Sequence, residues 1–453
     1  MGISAPGRDV ARLAYFGLYA LQHRGQESAG IAVSEQGRLT ALRDLGLVAQ
    51  VFDEQKLSGL HGDLAIGHTR YSTTGSNAWA NAQPLIHHGT ARTVALGHNG
   101  NLTNADALRD ELAPRLASTS DSEVIAAIIA ADDRPLIDAA AGALERIEGA
   151  ATVVGLADGQ LFAFRDAHGF RPLALGWLGD DPVVASETCA LDLLGARFDR
   201  DLRPGELVVA GPDGLESRQV LDRADGGALC IFEFFYLARP DTRLDGVEVH
   251  AARVRMGARL AAESPVEADL VLPIPDSGTP AAIGFARAAG IPFSEGLIKN
   301  RYVHRTFIQP EQGMRDQGIR MKFNPLAEVA GKRLVIVDDS IVRGSTTRQI
   351  VQMLFDAGAA EVHVRISSPP VISPCYYGID LASEKEMIAA GNTVEGVREA
   401  IGATSLAYLS LDGLQAATEK PRSALCRACL TREYPTRVPE ASEKLRFEPV
   451  RAR

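Results

Sequence analysis

Long apolar runs are missing from this chain of 453 residues. None approaches the roughly 18 residues that a membrane-spanning helix needs, so no membrane association is expected. Met1–Gly7 has neither a basic start nor an apolar core, which predicts no secretory signal and a cytoplasmic location. Cysteine is scarce, with 5 in all. That is too few for a disulfide framework over this length, so reduced thiols, a metal site or catalysis fit better. Positive charge is in deficit, 47 basic residues against 57 acidic for a net charge of −10, which argues against bulk nucleic-acid binding. A Walker loop is absent, because no Gly-Lys-Ser/Thr closes any glycine-rich turn. What remains is an ordinary globular mixture, long enough for two or three domains.

One stretch organises the rest, Leu334-Val335-Ile336-Val337-Asp338-Asp339-Ser340-Ile341-Val342-Arg343-Gly344-Ser345-Thr346-Thr347. Its apolar start reads as a buried parallel strand. Two acids follow, then a short loop with Arg343 and Gly344. A helix pattern comes next (Ile350, Leu354, Ala357), closed by Gly358. A strand, a loop and a helix N-terminus suit an anion, and Ser345, Thr346 and Thr347 add donors for a phosphate. Acids beside a phosphate would repel it unless they face sugar hydroxyls or a metal, so a phosphorylated ribose with Mg²⁺ satisfies every part. The string resembles the phosphoribosyl-pyrophosphate (PRPP) motif of type I phosphoribosyltransferases. The resemblance implies Asp338 and Asp339 on the ribose hydroxyls or Mg²⁺, with residues 343–347 around the 5′-phosphate.

The N-terminal half reads differently. Ala11–Leu21 is expected to be helical, followed by the polar turn Gln22-His23-Arg24-Gly25-Gln26-Glu27-Ser28-Ala29-Gly30. Short strands are expected at Ile31–Val33, Leu39–Leu42, Leu64–Ile66 and Val94–Leu96. Thr152–Leu156 and Leu161–Phe164 around Asp158-Gly159 signal a hairpin. Ser122–Ala131 and Leu136–Ile147 look helical. Three strings place polar residues at strand ends or turns: Gly67-His68-Thr69-Arg70-Tyr71-Ser72-Thr73, Gly97-His98-Asn99-Gly100-Asn101-Leu102, and Ser118–Glu123 around Asp121. Arg70 suits a carboxylate, Asp121 an amine, and Asn99 with the Gly100 N–H an oxyanion. Together they would hold a free amino acid at both ends. Singly, each serves equally well as a strand-end turn or a helix cap.

With the Tyr15–Gly30 string, these motifs resemble class II glutamine amidotransferases. Joined to the PRPP motif, they are similar to the glutamine PRPP amidotransferase family (amidophosphoribosyltransferases) from about Gly2 to Pro435. The resemblance implies Arg70 on the glutamine carboxylate, Asp121 on its amino group, and Asn99 with Gly100 as the oxyanion pocket. It implies an N-terminal glutaminase α/β-β/α sandwich of the Ntn type over residues 1–224, in an α+β class. A doubly wound α/β phosphoribosyltransferase domain is implied over 225–439, followed by a charged tail over 440–453.

In the C-terminal half, Asp-Gly-Gly near Arg223–Gly227 suggests a linker, and Cys230–Leu237 is an apolar, aromatic run. Leu270–Ile274 reads as a buried strand, Pro275-Asp276-Ser277-Gly278 as its turn, and Pro280–Ala289 as a helix ended by Gly290. This second strand–turn–helix unit is another phosphate candidate. By resemblance it is the pyrophosphate loop, with Asp276 near PRPP and Ser277 helping to ligate Mg²⁺. Lys299-Asn300-Arg301-Tyr302-Val303-His304-Arg305-Thr306-Phe307, with Arg315, Arg320 and Lys322, is basic within an acidic protein. It reads as a lid over PRPP, with Lys299 and Arg301 contacting it and excluding water from an oxocarbenium-like centre. Val362, Val364 and Ile366 alternate as the next strand, in a sheet whose ligand lies at the carboxyl ends of its strands.

Cys426-Arg427-Ala428-Cys429 is a close pair, with Cys230 and Cys375 far upstream. The residues alone leave Zn²⁺ and an iron–sulfur cluster open. The resemblance selects a [4Fe–4S] cluster on Cys230, Cys375, Cys426 and Cys429, as in one branch of the family. Its role there would be structural or oxygen-sensing, pinning the C-terminal tail to the linker region. Cys189 is left over as a buried thiol.

The sequence departs from the family at its start. The family nucleophile is an N-terminal cysteine whose own α-amine is the base, whereas this chain begins Met1-Gly2-Ile3-Ser4-Ala5-Pro6-Gly7. We expect the start to lie at an internal Met, with Cys-Gly-Val preceding it in the natural chain. The alternative is a genuine dependence on ammonia, which is the behaviour expected of the chain as written. The activity implied is transfer of glutamine-derived ammonia to C1 of PRPP, releasing pyrophosphate and forming 5-phosphoribosylamine for purine synthesis. Mg²⁺ would be a cofactor, purine nucleotides inhibitors, and a homotetramer the assembly. The rival readings are a non-catalytic PRPP-sensing regulator, against which stand the acidic charge and the lack of a helix-turn-helix pattern, and another class II amidotransferase, against which stands the Asp338-Asp339 motif.

Overall fold

The computed structural model describes residues 1–112, 116–222, 227–300, 321–381 and 383–439. The expected linker at 223–226, Arg301 and the lid string from 301 onward with Arg315 and Arg320, and the tail 440–453 lie outside them.

Residues up to Gln219 form two antiparallel sheets. One has seven strands in the order Arg197–Asp201, Ala174–Leu178, Asp181–Ala185, Gly2–Ser4, Leu64–Arg70, Ser28–Glu35 and Arg38–Leu45. The other has six, in the order Gly214–Gln219, Glu206–Gly211, Gln160–Arg165, Gly149–Ala157, Thr93–Leu102 and Leu85–His88. Alternation along the strands sorts their side chains to opposite faces. Ala32, Leu64 and Ile66 of the first sheet meet Ala95, Val154 and Ala163 of the second in one buried cluster. Ile31, Val33 and Ala65 turn the other way, onto the helix Val10–Ala20. Val153, Phe162 and Phe164 pack on the helices Ser122–Ala131 and Leu136–Arg146. The result is a four-layer α/β-β/α sandwich, as expected. The expected hairpin forms with Ala157 opposite Gln160, and both turn residues have positive φ, Asp158 at 51° and Gly159 at 71°. The strands run longer than the apolar segments suggested, because polar ends such as His68–Arg70 continue the pairing with the Ser28–Glu35 strand.

The second half is built on a four-stranded parallel sheet, ordered Leu270–Pro273, Arg333–Asp338, Glu361–Ile366 and Ser405–Tyr408. The first three of these strands are buried on both faces, and the edge strand Ser405–Tyr408 is half-buried. Val335 and Val337 face a cluster with the helices Val249–Glu263, Thr279–Ala289 and Leu411–Thr418, while Leu334 and Ile336 face Ser345–Asp356 and Val394–Ile401. This is the doubly wound arrangement. The Cys230–Leu237 run is not one continuous element. Leu229–Cys230 is a short strand, paired in parallel with Leu425–Cys426, and Glu233–Leu237 is a single π-helical turn.

Candidate active site

The two strand–turn–helix units of the second half come together because their strands are neighbours. Gly278 makes the approach possible, since a Cβ there would lie 2.4 Å from the Val337 carbonyl oxygen. The Ile274 N–H also donates to that oxygen, at 2.8 Å. Asp338 and Asp339 therefore stand beside Ser277, which hydrogen-bonds Asp339. Ser340 Oγ donates to Asp339 Oδ1 at 2.6 Å, and the Asp339 N–H donates to Asp338 Oδ1 at 2.9 Å. Both carboxyls have pKa values above the usual carboxylate range. Burial is the main cause for each, and for Asp338 the neighbouring Asp339 charge adds to it. Two acids crowded out of water in this way favour a cation or sugar hydroxyls.

Gly344, with φ of 76°, caps the helix Ser345–Asp356, whose first turn carries Ser345, Thr346 and Thr347. The Arg343 side chain is 68% exposed and pairs with Glu386. Lys299 pairs with Asp276, across the mouth of the Pro275–Gly278 turn. Asp276, Ser277, Lys299 and the 338–347 loop thus share the carboxyl edge of the sheet. Arg301 lies outside the described residues.

The N-terminal candidates gather on the sandwich. Arg70 ends its strand, is 3% exposed, and donates to the carbonyls of Thr74 and Ser76 at 3.0 Å each. Its guanidinium thus ties down the 72–76 loop. Asp121, also 3% exposed, stands at the N-terminus of Ser122–Ala131 and accepts from the Leu102 N–H at 2.9 Å. That bond brings Asp121 onto the strand that carries Asn99 and Gly100. Asn99 Nδ2 is buried and has no hydrogen-bond partner among the described residues, as expected of a donor kept for a ligand. The Met1 α-amine is buried, donates to the Gly67 carbonyl at 2.9 Å, and has its pKa lowered to about 5 by burial and then by the Arg24 charge.

Cys230, Cys375, Cys426 and Cys429 come together as well. All four thiol pKa values are raised, by burial above all, and for Cys429 the other three cysteines add to the rise. Among the described residues, no three His, Cys, Asp or Glu side chains are placed to hold a metal ion. Cys189 stays apart, against Glu187.

Sequence reading missed what joins the halves. Glu233 in the π-turn and Glu187 in the sandwich are both fully buried and share Arg24. Arg24 Nη2 donates to Glu233 at 2.7 Å, Arg171 pairs with Glu233 at 3.2 Å, and His23 meets Glu187 at 2.7 Å. Burial alone would raise the Glu187 pKa, but Arg24 and His23 outweigh it and hold the carboxyl well below its ordinary value. Arg253 donates to the Phe234 and Ala238 carbonyls at 2.8 Å each, fixing the same turn from the transferase side. Nothing in sequence spacing signals these pairs, apart from the charged residue inside the Cys230–Leu237 apolar run.

Comparison with known proteins follows this division of the chain. Residues 68–193 match a glutamine amidotransferase domain family, and residues 247–367 a phosphoribosyl transferase domain family. The chain is 53% identical to the amidophosphoribosyltransferase of Mycobacterium tuberculosis, over 97% of this chain and 86% of that one. It is 47% identical to that of Archaeoglobus fulgidus, over 97% and 98%. The structure of the Bacillus subtilis glutamine PRPP amidotransferase complexed with ADP and GMP superposes with a TM-score of 0.91 at 43% identity, covering 98% of each chain.

Proposed function

The chain belongs to the amidophosphoribosyltransferase family, and from that membership we propose how its residues divide the work. The family couples a glutamine amidotransferase domain to a phosphoribosyl transferase domain, at the first step of purine biosynthesis. We assign PRPP to the carboxyl edge of the parallel sheet. Asp338 and Asp339 face the ribose hydroxyls, the Gly344–Thr347 helix start with Arg343 holds the 5′-phosphate, and the Asp276–Ser277 turn with Lys299 meets the pyrophosphate. The observation that carries this is the meeting of two strand–turn–helix units around one acid pair, with Asp339 buried and Asp338 half-buried. Mg²⁺ held by Asp338, Asp339 and Ser277 would neutralise charge on the leaving pyrophosphate.

Glutamine is assigned to the sandwich, with Arg70 at its carboxylate, Asp121 at its amine, and Asn99 Nδ2 with the Gly100 N–H at the developing oxyanion. The unpartnered Asn99 amide supports this. We assign the four gathered thiols to a [4Fe–4S] cluster, as the family resemblance implies. They are soft and mutually close, and Cys230, Cys426 and Cys429 are buried. Such a cluster would tie the Cys230 and Cys426 strands to the Cys375 turn, a structural role. We extend to this chain the expectations of nucleotide inhibition and a homotetramer. ADP and GMP bound to the B. subtilis relative support the former.

The test is pyrophosphate release from PRPP and Mg²⁺, with ammonia and glutamine in parallel. Release with ammonia supports the transferase assignment, and release with glutamine as well places a working nucleophile beside Asn99. No release with either, in protein that keeps its visible cluster absorption, would overturn the assignment of the transferase site.

A further inference from the structure

The glutamine pocket as assigned is not completed by the sandwich alone. The turn 375–381, which belongs to the transferase half and starts at Cys375, lies directly against the strand that carries Asn99 and Gly100. Asn101 Nδ2 donates to the Tyr376 carbonyl at 3.0 Å, while Asn101 Oδ1 accepts from the Thr74 hydroxyl at 2.5 Å. That one side chain therefore links the transferase turn, the oxyanion strand and the loop that Arg70 ties down. The Thr73 hydroxyl donates to the Gly100 carbonyl at 3.3 Å, fixing the same point from the loop side.

Gly378 makes the closest approach. Its φ is 95°, and a Cβ on it would stand 3.0 Å from the Gly100 backbone. The conformation favours glycine, and a Cβ would press tightly on the Gly100 backbone. The turn is itself held firmly. Arg171 Nη2 donates to the Gly378 carbonyl at 2.8 Å, the Tyr377 and Phe170 rings stack at 4.1 Å and 13°, and Tyr71 reaches Asp380 at 3.3 Å. The Tyr377 N–H donates to Cys375 Sγ at 3.3 Å, so the arrangement of the turn follows the position of that sulfur.

We propose that the 375–381 turn is a positioning element for the glutaminase site, propping the Asn99–Asn101 segment in its ligand-ready shape through Tyr376 and Gly378. This rests on the assignment of Asn99 and Gly100 as the oxyanion pocket. A positioning effect of this kind moves the affinity for glutamine while the transfer of ammonia at the other site continues, whereas loss of general packing moves both.

The experiment is calorimetric titration of glutamine into the full chain and its variants, with ammonia-dependent pyrophosphate release measured on the same samples. Gly378→Ala is expected to weaken glutamine binding at least tenfold, leaving the ammonia-dependent rate and the KM for PRPP within twofold. Asn101→Ala removes the link from the other side and should show the same split, so the proposal stays testable if Gly378→Ala does not fold. Combined, the two should cost less than the product of their separate effects, because both act on the same turn-to-strand junction. Unchanged glutamine affinity in both variants overturns the proposal, and so does parallel loss of both activities. Asn99→Ala separates this from the underlying assignment. If it weakens glutamine binding while Gly378→Ala and Asn101→Ala do not, only the positioning role fails. If it too leaves binding unchanged, the premise that the Asn99–Asn101 segment contacts bound glutamine fails.

Discussion

The two candidate sites differ in how far they are built before a ligand arrives. In the sandwich, Arg70 and Asp121 are almost wholly buried, each held by backbone groups, and Asn99 waits with a buried amide. On the parallel sheet, Arg343 is largely in water and spends its charge on Glu386, and Lys299 spends its own on Asp276. The ligands proposed for the two sites explain the contrast. A small zwitterion with no net charge gains from a rigid, desolvated pocket, because its two charges need fixed partners. A polyanion with a labile pyrophosphate has to enter an open, hydrated mouth. Exposed ion pairs of this kind contribute little to stability, so exchanging them for substrate phosphates costs little.

The largest effect that would break this comparison comes from the acid pair. Asp338→Asn with Asp339→Asn is expected to lower kcat/KM for PRPP at least 10³-fold, about 4 kcal/mol, while glutamine binding stays within twofold. Unchanged PRPP binding by calorimetry would remove these residues from the site. Next is the junction. Glu233→Gln leaves Arg171 without its carboxylate and Arg24 with only Glu187, both buried. Breaking such a pair is expected to cost about 3 kcal/mol of stability, read as a lower denaturant midpoint. Because Glu233 ties the halves together, both activities should fall in parallel, in contrast to the selective effects of the other substitutions.

The smallest effect sharpens the comparison through pH. Asp201 of the sandwich has its pKa raised to about 6, by burial first and by Asp245 second. The native state therefore binds a proton that the unfolded chain releases near pH 4, so stability falls as pH rises from about 4 to about 6 and levels off above. Asp201→Asn should remove this cost. It should stabilise the protein at pH 8 by about 1 kcal/mol, allowing for the part of the group that meets solvent, and leave it unchanged near pH 4. Equal stabilisation at both pH values would show that the charge is not the cause.

The legibility of the sequence follows the same divide. The Asp338–Thr347 string and the Asn99–Gly100 and Asp121 turns could be read because each places unusual polar residues beside an apolar strand within a few positions. The doubly wound half was visible in the continuous apolar runs of its strands, whereas the residues of the other half showed only short antiparallel strands and the sandwich followed from the family resemblance. The junction was not visible, because its partners are remote. Arg24 lies 163 residues from Glu187 and 209 from Glu233, and no local pattern relates them. The 375–381 turn drew notice for Cys375 alone. Its contact with Gly100 depends on how two separate folds dock, which spacing does not encode.

The three-residue strand Gly2–Ser4 lies in the middle of the seven-stranded sheet, where Gly2 pairs with Ile66 on one side and Val184 on the other. Synthesis from the amino end therefore produces the central strand well before its Asp181–Ala185 neighbour. Until then, Ile3 and the apolar faces beside it have no finished sheet to cover them. Non-local pairing of this kind slows folding and leaves sticky edges exposed during synthesis. The sandwich can therefore close only after the Asp181–Ala185 strand, and the later strands Arg197–Asp201, Glu206–Gly211 and Gly214–Gln219, have been made.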